Sequence, residues 1–222
     1  MTAESEGALS PRLRALGLVL FVTFARQLAA FADRWLGEPV ASDGAFDAAL
    51  LTLVQLVRIA SIACLVAYVL ARQGRKPGEL WQRIQPSDLA WGLALSALAL
   101  LPFAARDLLV YGAPGKWLTS ELTARQLRTG TWIGTLGYAM LPELVLRPYV
   151  MAETLALGGG LMSVGAGTAL GLAFYSTDRL NLVFSVTSEL MFALTYARTR
   201  RAMPLFLGRW GFRLWVLLHA RS

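Results

Sequence analysis

Two carboxylates and three guanidiniums stand inside apolar stretches of this chain, and their spacing is regular. Glu143 and Arg147 are four residues apart, Glu189 lies in a later apolar run, and Arg209 and Arg213 repeat the four-residue spacing in the last run. Side chains four apart share one helix face, and an acid one turn before a base is the favourable order for an ion pair. A carboxylate in such a place can act as a general base on water, or it can hold a buried guanidinium. Two stacked arginines need an anion opposite, and Glu143 and Glu189 are the acids in neighbouring runs. The pattern predicts a buried ion network of Glu143, Arg147, Glu189, Arg209 and Arg213. The competing arrangement has Arg209 and Arg213 snorkelling to the two interfaces along a tilted helix. Arg26 and Arg58 are further charges within apolar runs.

Other chemistries lack material. The single histidine, His219, lies near the C-terminal end, and the single cysteine, Cys64, is surrounded by apolar residues. A zinc site, a Ser/His/Asp triad and an intramolecular disulfide are therefore excluded, and no cofactor or metal is expected. Cys64 reads as a small packing residue and His219 as an interfacial one.

The elements that must carry these charges are transmembrane helices. The chain has 222 residues, 56% hydrophobic and 16% charged, with a mean hydropathy of +0.52. Soluble domains run near 45–50% apolar and about 25% charged, so both fractions are displaced toward a membrane protein. At about 20 residues per crossing the length allows at most about eight spans. The apolar runs predict an all-α bundle of seven, near residues 14–36, 45–71, 89–111, 129–151, 155–175, 180–197 and 202–218, with the fifth and sixth forming a tight hairpin around Asp178. A polar tail, 1–11, precedes a single transmembrane domain, 12–222. The first run has no small-residue cleavage site and reads as a retained span.

The formal charge of +7 comes from short basic clusters between apolar runs, a positive-inside pattern and not a nucleic-acid stripe. Arg72, Arg75, Lys76 and Arg83 make one cluster and Arg198, Arg200 and Arg201 another, whereas the first connection carries Asp33, Glu38, Asp43 and Asp47 against Arg34. This places the N-terminus, the 72–87 loop, a turn at 152–154 and the 198–201 turn in the cytoplasm, with the C-terminus outside. Trp35, Trp91, Trp117 and Trp215 fall near the interfaces that this topology requires. Gly130, Gly134 and Gly137, and then Ser163, Gly167 and Gly171, form small-residue faces suited to close helix packing. Gly158 to Gly160 loosen the start of the fifth run.

The segment Met140 to Val150, reading MLPELVLRPYV, resembles the first signature of the CPBP family of intramembrane glutamic proteases, which includes CAAX prenyl endopeptidases. That signature is two adjacent glutamates, three residues, then arginine, followed by glycine and an aromatic. Glu143, Arg147 and Tyr149 match it, whereas Pro142 replaces the first glutamate and Pro148 the glycine. A basic linker before the third span and Tyr-Ala-Arg-Thr-Arg at 196–200 resemble the family in order, so the likeness covers roughly 75–215. The histidine of the second signature is replaced by Phe174, and the histidine and Asn or Asp of the third by Arg209 and Arg213.

The resemblance implies a CPBP-like fold in a bacterial inner membrane, with catalytic positions Glu143 and Arg147 surviving as a motif remnant. The departures at Pro142, Phe174, Arg209 and Arg213 fall on groups that would move protons or stabilise an oxyanion. The expectation is a pseudoenzyme that binds a membrane-embedded peptide, a lipid or a protein partner, with the bilayer as its surroundings and no nucleic acid. An active endopeptidase using Glu143 is the alternative, and a small transporter or channel component the third.

Overall fold

In the computed structural model, residues 11–25, 45–80, 82–112, 139–175 and 182–219 are described, and all of their regular structure is helical. Arg26, Gly130, Gly134, Gly137, the acids of the first connection, Trp35, Trp117 and the turn at Asp178 lie outside the described side chains. The chain divides into two compact units, Met1–Lys76 and Pro77–Ser222.

The N-terminal unit holds helix α1, residues 11–25, and helix α2, Ala45–Arg72. Leu16, Val19 and Thr23 are buried on α1, and Ile59, Ile62, Val66, Val69 and Leu70 on α2. Arg58, a charge in the middle of an apolar helix, donates from Nη2 to the carbonyl of Thr23 at 2.9 Å. The contact gives the Arg58 guanidinium a backbone acceptor on α1 within the N-terminal unit. Helix α2 closes with Gly74 at φ 71° and a bond from the Arg75 N–H to the Leu70 carbonyl, the left-handed glycine cap of a helix end.

The C-terminal unit opens with a short 3₁₀ turn, Pro77–Glu79, and helix α3, Pro86–Tyr111. Pro86 suits the first helical position because its missing N–H would have no partner there. Asp88 accepts the Gln85 N–H at 2.8 Å, and Gly112, at φ 69°, ends the helix. A π-helical turn, Leu141–Leu146, then leads into helix α4, Arg147–Tyr175, followed by α5, Leu182–Thr199, and α6, Ala202–His219.

Helix α4 is folded back on itself. Ser163 Oγ donates to the Met151 carbonyl at 2.8 Å although twelve residues separate them, a distance of about 18 Å along a straight helix. The reversal occurs at Gly159, whose φ of 79° and ψ of −171° leave helical space. Residues 147–158 and 160–175 are therefore two antiparallel legs. The turn lies at 158–160 and not at 152–154, because Gly159 supplies a conformation that side chains with a Cβ do not tolerate, whereas Ala152, Glu153 and Thr154 continue the helix. Gly158 to Gly160 thus make the turn instead of loosening the start of a span.

Small residues set the closest approaches. The Ser163, Gly167 and Gly171 face packs inward as the spacing predicts: a Cβ on Gly167 would lie 2.5 Å from Met151 Sδ and 3.3 Å from Ala193 Cβ. A second seam joins α3 to α6. There a Cβ on Gly92 would reach Leu207 Cβ at 2.5 Å and one on Gly208 would reach Leu95 Cβ at 2.8 Å, so the two backbones lie too close for larger residues. Ser96 Oγ bridges this seam to the Gly208 carbonyl at 2.9 Å.

The register of these contacts orders the elements. Gly167 faces Ala193, and Gly171 faces Glu189, so the second leg of α4 runs antiparallel to α5. That register carries Gly159 to the same end of the unit as the α5–α6 turn. The core joins Leu95, Ala99, Met151, Phe192, Ala193, Tyr196, Leu205 and Phe212 from α3, α4, α5 and α6. Charged residues are buried beside it, while Leu93, Leu101 and Leu109 on α3 and Val183, Val186, Leu190 and Leu194 on α5 face outward. The unit thus buries ions beside an apolar core and also exposes rows of large apolar side chains. Two helical stretches, Pro86–Leu109 and the folded Leu141–Phe174, are long and apolar enough to cross a membrane.

Candidate functional site

The π-helical turn is where the site begins. Pro148 has no N–H for the Leu144 carbonyl and its ring would clash with that carbonyl in a regular helix. The chain widens by one residue, and the Arg147 N–H bonds to the Pro142 carbonyl. Single turns of this kind re-aim side chains within an otherwise regular helix. Here Glu143 and Arg147 both point into the unit and both are fully buried.

Four of the five residues expected in the ion network meet. Arg147 Nη2 contacts Glu189 Oε2 at 2.6 Å, Arg209 Nη2 contacts Glu189 Oε1 at 2.5 Å, and Arg209 Nε contacts Glu143 Oε1 at 3.2 Å. Arg147 closes the ring on Glu143, through Nη2 to Oε1 at 3.2 Å and through Nε to Oε2 at 2.9 Å. The Nε contact lies off the donor axis, so it is an ion pair without hydrogen-bond geometry. Relative exposures are 0% for Glu143 and Arg147, 2% for Glu189 and 4% for Arg209. Two acids and two bases leave the ring formally neutral, which is the condition for keeping ions away from water at tolerable cost.

Two further features hold the ring. Phe192 lies beside both cations, with Arg209 Cζ 4.1 Å and Arg147 Cζ 5.7 Å from its ring centroid, so its π face adds attraction to each guanidinium. Gly171 provides the floor: a Cβ there would overlap Glu189 Oε2 and Arg147 Nη2. A glycine at helical spacing from Ser163 and Gly167 therefore makes space for ions as well as for a neighbouring helix.

The remaining expected positions fall around this centre. Arg213, one turn beyond Arg209, is half-buried. Pro142 is buried in the π turn, and Phe174 is half-buried, three residues beyond Gly171. Both oxygens of Glu143 lie within ion-pair distance of guanidiniums, Oε1 as a hydrogen-bond acceptor and Oε2 without one. Among the described residues, no group of three or more His, Cys, Asp or Glu side chains could hold a metal ion.

Sequence reasoning overlooked several buried polar groups. Arg106, Asp107 and Glu153 are buried in apolar helices and each has a polar, ring or electrostatic partner. The signal that singled out Glu143 would have found them, since they too are charges within hydrophobic runs. Asp88 is fully buried at the start of α3 and binds Arg201 in a fork, Nε to Oδ1 at 2.5 Å and Nη2 to Oδ2 at 2.6 Å. Arg201 also donates to Gln82 Oε1 at 3.2 Å and to the Arg83 carbonyl at 2.7 Å. Its hydrogen bond to Asp88 raises the Arg201 pKa above the ordinary guanidinium value. Arg201 thus ties the α5–α6 turn to the start of α3, a role beyond that of a topology signal. No protein-family model, curated protein or solved structure matches the chain.

Proposed function

We propose that this chain is a multi-pass protein of a bacterial-type inner membrane, CPBP-like in layout, in which a closed ion ring occupies the place of a peptidase centre and the protein acts by binding. The observation that carries this reading is the ring itself. Glu143, the surviving motif carboxylate, is held on both oxygens by Arg147 and Arg209. Hydrolysis needs a carboxylate that can accept a proton from a positioned water and donors aimed at a developing oxyanion. Here the donors are aimed at the carboxylates.

Two more observations support the reading. The likeness to the family starts near residue 75, within a few residues of the boundary at Pro77 where the C-terminal compact unit begins. The outward leucine and valine rows of α3 and α5 suit acyl chains, and the basic clusters between apolar runs are the sequence basis for about seven spans with a cytoplasmic N-terminus. The bound partner is a membrane-embedded peptide, a lipid or another membrane protein.

The test is a cleavage assay on the full-length protein reconstituted in liposomes, with a prenylated CAAX-type peptide and a transmembrane peptide as substrates. The expected result is the same background for the wild type and Glu143→Gln. Turnover by the wild type that disappears in Glu143→Gln overturns the binding reading in favour of an active endopeptidase.

A further inference from the structure

We propose that Arg83, Arg198 and Arg200 form a binding patch for the phosphodiester of anionic lipid headgroups at one end of the C-terminal unit, an inference that rests on the membrane reading above. These residues come from two segments more than a hundred positions apart. They are brought to one corner by Arg201, which grips Asp88, Gln82 and the Arg83 carbonyl together. The α5–α6 turn is sharply formed: Arg200 takes a left-handed conformation at φ 56°, and its N–H closes the helix end on the Tyr196 carbonyl at 2.7 Å.

The charge balance of this corner points to an external anion. Asp88 is filled, with Oδ1 taken by Arg201 and Oδ2 by Arg201 and the Gln85 N–H. Among the described residues, Arg83, Arg198 and Arg200 form no ion pair with one another's neighbours, and Arg83 and Arg198 are exposed while Arg200 is half-exposed. Three exposed or half-exposed arginines on segments joined at one fixed corner give it a positive potential that attracts an anion, and a guanidinium fork matches phosphate oxygens. Ile84, Leu89 and Trp91 are exposed close by in sequence. Basic residues giving way to apolar ones and an indole is the profile of a headgroup layer meeting acyl chains. A lipid phosphodiester satisfies both parts of that profile, whereas free phosphate satisfies only the first.

The experiment uses the full-length protein, first washed in membranes with alkaline carbonate, then placed in nanodiscs containing phosphatidylcholine with or without phosphatidylglycerol. Lipid retained after detergent extraction is read by native mass spectrometry. Each arginine near an anionic surface adds about fivefold to the preference. The triple variant Arg83→Gln, Arg198→Gln, Arg200→Gln is therefore expected to lose at least about tenfold in its preference for phosphatidylglycerol, with an unchanged thermal midpoint. The corresponding triple lysine variant, which keeps the charge but not the fork, falls between the wild type and the glutamine variant, and millimolar inorganic phosphate leaves the lipid in place. A glutamine variant with wild-type preference overturns the proposal, as does displacement by free phosphate. Protein released by carbonate overturns the membrane reading itself, whereas retained protein without headgroup preference overturns only the patch.

Discussion

Glu143 shares its charge with two guanidiniums, so changing it to glutamine leaves the ring with one acid against two bases. Breaking one partner of a buried cluster costs about 3–5 kcal/mol, because the remaining charge has no water to turn to. Glu143→Gln and Glu189→Gln should each lower the thermal midpoint of detergent-extracted protein by that measure. Replacing all four ring residues together, with Leu for each Glu and Met for each Arg, should recover much of the loss, since well-packed apolar groups often match an intact buried ion cluster. A quadruple variant less stable than either single one would refute this account of the ring. Asp88→Asn separates the second ion pair from the first: its partner Arg201 is partly open to solvent, so the expected loss is smaller, about 1–2 kcal/mol by thermal or chemical melting. The Arg201 guanidinium stays charged across the working pH range, as guanidiniums do.

At the scale of elements, the reversal of α4 depends on one backbone conformation. Gly159 lies at φ 79° and ψ −171°, a region open essentially to glycine alone, whereas Gly160 has ordinary φ and open space around its missing Cβ. Gly159→Ala should therefore cost about 1–3 kcal/mol, while Gly160→Ala should be neutral or stabilise by up to about 1 kcal/mol. Equal melting of the two variants would show that the chain does not turn there. The glycine triplet was visible in the sequence, but run length alone put the turn six residues too early. Hydropathy counts apolar residues and cannot register a φ angle. The α3–α6 seam was illegible for a related reason: Gly92, Gly208 and Gly211 belong to different runs, and nothing local shows that two of those runs are neighbours.

At the scale of the whole molecule, the loop charges predict that the 72–87 loop and the 198–201 turn share one side of the membrane, and the Arg201 bonds bring the start of α3 beside the α5–α6 turn. With Cys64→Ser as background, single cysteines placed at Gln82 and Gly160 should be labelled by an impermeant maleimide from the same side of the membrane; labelling from opposite sides would overturn the shared end. The four ring members were legible because ions are costly in apolar runs and must find one another. Spacing puts Arg209 and Arg213 on one face of α6, and only the packing of that helix sets their depths, Arg209 buried and Arg213 half-buried. The ring also has an order of assembly written into the chain. Glu143 and Arg147 emerge together as a balanced pair, Glu189 adds one unmatched negative charge, and Arg209 cancels it only when α6 has joined. A chain halted after α5 would hold two acids against one guanidinium in its interior, so the charge balance of the ring is completed only by the last helix.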